Sequence, residues 1–92
     1  MNMLVALIAK DKDGALRTRK DNREAHLAYI EATGVVVQAG PLLDDAGEMA
    51  GSLVILDVTD MAAARAWADS DPYAKAGMFE SVTLTAWKKV IG

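Results

Sequence analysis

Ninety-two residues suffice for one compact domain and are too few for two, so a single domain over 1–92 is expected. At 52% hydrophobic and 25% charged residues the composition is globular, and the lack of cysteine excludes a disulfide framework and thiolate chemistry. A net charge of −3, with the basic residues divided between the first helix and the C-terminus, lacks the footprint of a nucleic-acid binder.

The first apolar run, Met3 to Ala9, follows no basic segment and is cut off by Lys10 and Asp11. It is too short for a membrane span and reads as a strand, so no membrane partner and a cytoplasmic location are expected. Because it is apolar at every position, this strand is expected to be buried on both faces. After a turn from Lys10 to Gly14, the segment from Leu16 to about Thr33 reads as a helix. Leu16, Leu27 and Ile30 fall near one azimuth and are expected to face a sheet, and Gly34 is the stop signal.

Val35 to Gly40 reads as a second strand, and Pro41 marks it as an edge strand or a bulge. A turn at Asp44-Asp45-Ala46-Gly47 leads into a third strand, Ser52 to Val58, again apolar at successive positions. Asp60 is placed to cap a second helix running to about Asp69, with Met61, Ala64 and Ala68 as a stripe of mostly small residues. The last strand, Phe79 to Lys89, alternates Val82, Leu84 and Ala86 with Thr83, Thr85 and Trp87.

The order βαββαβ is the α+β, ferredoxin-like pattern: a four-stranded antiparallel sheet with the first and third strands central and two helices on one face. The doubly apolar strands are the two that this topology places centrally, so pattern and topology agree. Two helices cover only one face, however. Leu4, Ala6, Ile8, Leu53 and Ile55 lie on one side of the central strands, and Met3, Val5, Leu7, Val54 and Leu56 on the other. One of these faces needs a partner, and a homodimer through the open sheet face is the economical solution.

His26 is the only histidine and the first candidate for acid/base work. Arg19, Arg23, His26 and Ile30 form a helical seam along the border of the expected apolar stripe. Guanidinium neighbours would favour neutral imidazole, while a facing carboxylate would do the opposite and fix the tautomer. The alternative is a half-buried packing histidine. With no other histidine and no cysteine to join it, no metal site is expected, and no cofactor.

Asp71, before Pro72, has two readings, as the N-cap of a short turn ending at Gly77 or as a carboxylate pointing into the cleft of His26. Tyr73 offers either a phenol to a ligand or cover for the core edge. Asp44 and Asp45 read as a solvated hairpin tip, and Trp67 and Trp87 as core or interface anchors.

Taken together, Arg23-Glu24-Ala25-His26-Leu27-Ala28-Tyr29, Ala39-Gly40-Pro41-Leu42, Asp71-Pro72-Tyr73 with Gly77 and Phe79, and Trp87-Lys88 resemble the YCII-related (YciI-like) family along essentially the whole chain. The resemblance implies a dimeric α/β barrel with two sheets face to face. It also implies a cleft with a histidine and an aspartate as an acid/base pair, carried over here onto His26 and Asp71. Dehydrochlorinase chemistry is known among relatives of this family, whereas most members have no established substrate.

The leading expectation is a cofactor-independent lyase or isomerase acting on a small, anionic or enolate-like molecule, with Arg23, Arg19 and Tyr73 as substrate-binding residues. The alternative is a non-catalytic ligand-binding or accessory dimeric module using the same cleft.

Overall fold

The computed structural model describes residues 2–92. Its elements are β1 (Met3–Asp11), α1 (Leu16–Thr33), β2 (Val36–Leu43), β3 (Met49–Val58), α2 (Met61–Ser70), the single turn α3 (Pro72–Lys75) and β4 (Phe79–Trp87). The strands form one antiparallel sheet in the order β2-β3-β1-β4, with the two doubly apolar strands at its centre. This is the ferredoxin-like arrangement, with α3 added after α2.

Register decides which side chains meet. Val5 lies opposite Leu56 and Leu7 opposite Val54, and these residues share a buried core with Ala9, Val58 and the α2 residues Ala64, Trp67 and Ala68. The small residues of α2 let the helix approach the sheet closely, while Trp67 fills the space between them. Tyr29 ties α1 to α2 by donating its hydroxyl to the Trp67 carbonyl at 2.9 Å, and the Trp67 indole donates to Thr33 Oγ1 at 2.9 Å. On the opposite face Ala6 pairs with Ile55 and Ile8 with Leu53, so the division of faces follows the sequence pattern.

The inner face of α1 differs from the apolar stripe expected. Its buried residues are Arg19 and His26, whereas Leu27 is 49% exposed. Arg19 and His26 are seven residues apart, so they share nearly one azimuth, and Leu27 stands about 100° further round. Both buried polar residues have partners inside the fold, which is why this face can turn inward; Tyr29 and Ile30 add partly buried apolar contacts. Gly34 closes the helix in the left-handed region at φ 66°, its N–H bonded to the Ile30 carbonyl.

The hairpin is longer than its sequence suggested. β2 passes through Pro41, which an edge strand tolerates, and its pairing with β3 shifts register between Val36 and Gln38 and between Leu42 and Leu43. Gly51 faces the Ala9 carbonyl oxygen so closely that a Cβ would collide with backbone, hence the bare residue at this point of the sheet. Asp60 caps α2 by accepting the Ala63 N–H at 2.8 Å, as its position predicted. β4 ends at Trp87, two residues earlier than expected.

Candidate active site

Asp71 separates α2 from α3. Pro72 holds it out of the helical region, at φ −61° and ψ 129°, so its carboxylate can turn back onto the chain. There Oδ1 accepts the Tyr73 N–H at 3.0 Å and lies 2.8 Å from His26 Nδ1. Capping and pairing with the histidine are therefore compatible, since one carboxylate oxygen offers more than one lone pair. The carboxylate accepts only, so the proton of this contact sits on Nδ1, and the neutral imidazole keeps its lone pair on Nε2. Both residues are buried, and the Tyr73 ring stacks on the imidazole with centroids 3.9 Å apart and planes 13° from parallel.

A second buried pair lies alongside. Asp11 ends β1 and extends the inward row Val5, Leu7, Ala9 by one more alternate position. Its two oxygens accept Arg19 Nε at 2.8 Å and Nη2 at 3.0 Å, and Nη2 also donates to Ser52 Oγ at 2.8 Å. The Arg19 guanidinium carbon is 4.8 Å from the centre of the Tyr73 ring. Neither Asp11 nor Ser52 was among the candidates drawn from the sequence. The signal for Asp11 was the period of two that places a carboxylate on the core side of a strand.

These groups border a cavity of about 170 Å³ between α1, the hairpin and α3. Arg19, Arg23, His26, Ser52 and Tyr73 supply its polar lining, and Leu27, Ile30, Pro41 and Val54 its apolar walls. All the proposed site residues thus border the cavity except Asp71, which stands behind His26. Asp11 balances Arg19 and Asp71 faces His26, while Arg23 is exposed and has no ion-pair partner among the described residues. Of the side chains that line the cavity, Arg23 is thus the cation without an ion-pair partner among the described residues, and it is placed to meet an anionic group.

Burial raises the Tyr73 phenol above its usual 10.0, with Asp71 acting in the same direction and Arg19 and Arg23 in the opposite one. Burial likewise raises Tyr29. Between pH 10 and these raised values the folded chain retains phenolic protons that the unfolded chain releases, so stability falls as pH rises through that window. Urea midpoints measured from pH 8 to 11 should hold level up to about pH 10 and decline above it.

A ferredoxin-like α+β fold with a buried histidine–aspartate contact beside a small cavity bordered by Arg23 describes the class. The model of the YCII-related domain family matches residues 3–88, and the chain belongs to this family. It is 39% identical over 97 aligned positions to protein YciI of Escherichia coli, covering 96% of this chain and 99% of that one. Among solved structures it resembles the 5-chloro-2-hydroxyhydroquinone dehydrochlorinase of Burkholderia phenoliruptrix, determined in complex with 2,5-dihydroxybenzoquinone. The TM-score is 0.85 at 34% identity, covering 94% of each chain. A protein of Bacteroides thetaiotaomicron, at 14% identity and TM-score 0.62 over 98% of this chain and 90% of that one, shares the fold alone. No helix of the described residues is long and apolar enough to cross a membrane.

Proposed function

We propose that residues 1–92 form one cytoplasmic enzyme domain that moves protons on a small, anionic, hydroxylated ring or enolate-like substrate without a cofactor. The observation that carries this reading is the 2.8 Å contact between His26 Nδ1 and Asp71, which leaves Nε2 as the basic atom of a ring bordering the cavity. His26 takes a proton from a ring hydroxyl or from a carbon next to a carbonyl, and Asp71 holds the tautomer and stabilises the imidazolium that forms. Arg23 balances negative charge developing on substrate oxygen, with Arg19 and Tyr73 forming the adjoining wall. The same reading includes a homodimer packed through the open sheet face.

Similarity to the dehydrochlorinase supplies a concrete probe. On 5-chloro-2-hydroxyhydroquinone, a single acid/base group suffices. It moves a hydroxyl proton to the chlorine-bearing carbon, and loss of a second hydroxyl proton then expels chloride, leaving a hydroxylated quinone. The ring is oxidised as the carbon–chlorine bond becomes carbon–hydrogen, so no external oxidant is required.

The test follows chloride release by wild type, His26→Gln and Asp71→Asn, alongside thermal shifts with 2,5-dihydroxybenzoquinone. Saturable turnover that falls by about 10²–10⁴-fold in His26→Gln, with stabilisation by the quinone retained, supports the enzyme reading. Equal stabilisation of wild type and variant without turnover would overturn it in favour of a binding module.

A further inference from the structure

Arg19 and His26 project from the same side of α1 two turns apart, about 10.5 Å along the axis. The Tyr73 ring occupies this gap. Its centroid is 3.9 Å from that of the imidazole and 4.8 Å from the Arg19 guanidinium carbon. Behind Arg19, Asp11 makes the two-point contact that fixes a guanidinium plane, and Ser52 adds a third hydrogen bond. A continuous buried column therefore runs from Asp11 through Arg19, Tyr73 and His26 to Asp71.

We infer that Asp11 is a positioning residue for His26, acting through Arg19 and Tyr73; the inference rests on the acid/base reading of His26. A ring held by a single hydrogen bond can pivot about the Nδ1–oxygen line. The Tyr73 face closes that pivot. Tyr73 is itself held at its backbone by Asp71, and its ring is bounded by Phe79, perpendicular to it at 6.2 Å and 87°, and by the Arg19 guanidinium lying over it. Without the carboxylate of Asp11, the guanidinium is an uncompensated charge beside the cavity and no longer has a fixed plane.

Stability is a poor reason for such a pair. A buried ion pair replaced as a unit by apolar side chains of similar volume is often neutral or gains stability. An inward acid following Val5, Leu7 and Ala9 on a core strand thus calls for another role, and the column ending at His26 provides one.

Because His26 is the only histidine, imidazole nitrogen signals in a ¹⁵N NMR spectrum report on it alone. Wild type is expected to show the neutral ring protonated on Nδ1. In Asp11→Asn the ring, no longer backed by a fixed Tyr73 face, is expected to turn off its Nδ1–Asp71 hydrogen bond, and the ratio of this tautomer to the other to fall by about tenfold, the order that accompanies loss of that one charge-assisted bond. Arg19→Lys, which keeps the charge but not the planar face, should do the same. Tyr73→Phe should leave the signature intact, and Tyr73→Leu should remove it.

Should Asp11→Asn fail to fold, Asp11→Asn/Arg19→Met removes both charges and reads the same column; it too should lose the tautomer preference. A folded Arg19→Lys or double variant with the wild-type tautomer ratio overturns the positioning role and leaves the His26–Asp71 reading standing. Wild type without an Nδ1-protonated ring overturns both.

Discussion

Asp11→Asn is expected to lower the free energy of unfolding by about 3–5 kcal/mol, because it leaves the Arg19 guanidinium buried without its counter-charge. Arg19 is only 3% exposed, and its remaining hydrogen-bond partner, Ser52, is neutral. An amide can still accept one hydrogen bond but cannot balance the charge. For a domain whose whole stability lies within about 5–15 kcal/mol, such a loss places the variant near its folding threshold. Urea unfolding should show a lower midpoint with an unchanged slope. Asp11→Asn/Arg19→Met should recover most of the loss, since no orphaned charge remains. Equal midpoints for the single and double variants would mean that the cost comes from packing around position 11 and not from electrostatics.

The same residue shows where sequence patterns stop being informative. The strand order was legible because two short runs are apolar at successive positions, and the βαββαβ order places the strands that carry them at the centre of the sheet. α1 was legible in its limits, through Gly34 and the segment from Leu16, but not in its orientation. Its inner face carries Arg19 and His26, so apolar periodicity pointed toward Leu27, which borders the cavity from the solvent side. A buried polar face is specified by its partners, and these lie on β1, on β3 and after α2, far from α1 in the chain. Asp11 resembled turn chemistry because it follows Lys10 and precedes Gly14; only the extension of β1 to its position makes it an inward residue. His26 and Asp71, in contrast, could be paired from the family resemblance, and Pro72 explains locally why the carboxylate is free to turn toward α1.

Ile8→Asp and Leu53→Asp are expected to convert the proposed homodimer into single chains without unfolding them. These residues are direct neighbours across β1 and β3 on the face that no helix covers, and they are 47% and 38% exposed. Leu42 and Trp87 extend the apolar character of the sheet toward its two edges, while Thr83, opposite Ile8, and Thr85, opposite Ala6, supply polar positions between them. A two-fold axis through such a face sets each copy's Ile8 and Leu53 region against its twin, so every aspartate enters the contact twice. At about 25 cal/mol per Å² of apolar surface, an interface of roughly 800 Å² per partner has a large gross driving force, from which the cost of association is subtracted. Burying two carboxylates against it costs several kcal/mol per ion, about the scale on which a micromolar dimer dissociates. Sedimentation at micromolar concentration should give two chains for wild type and one for each variant, with unchanged far-ultraviolet circular dichroism. Ala62→Asp, on the exposed side of α2, should remain dimeric. A folded wild type that sediments as one chain would leave the open face without its twin, and the exposed row at Ile8 and Leu53 would then require a different partner.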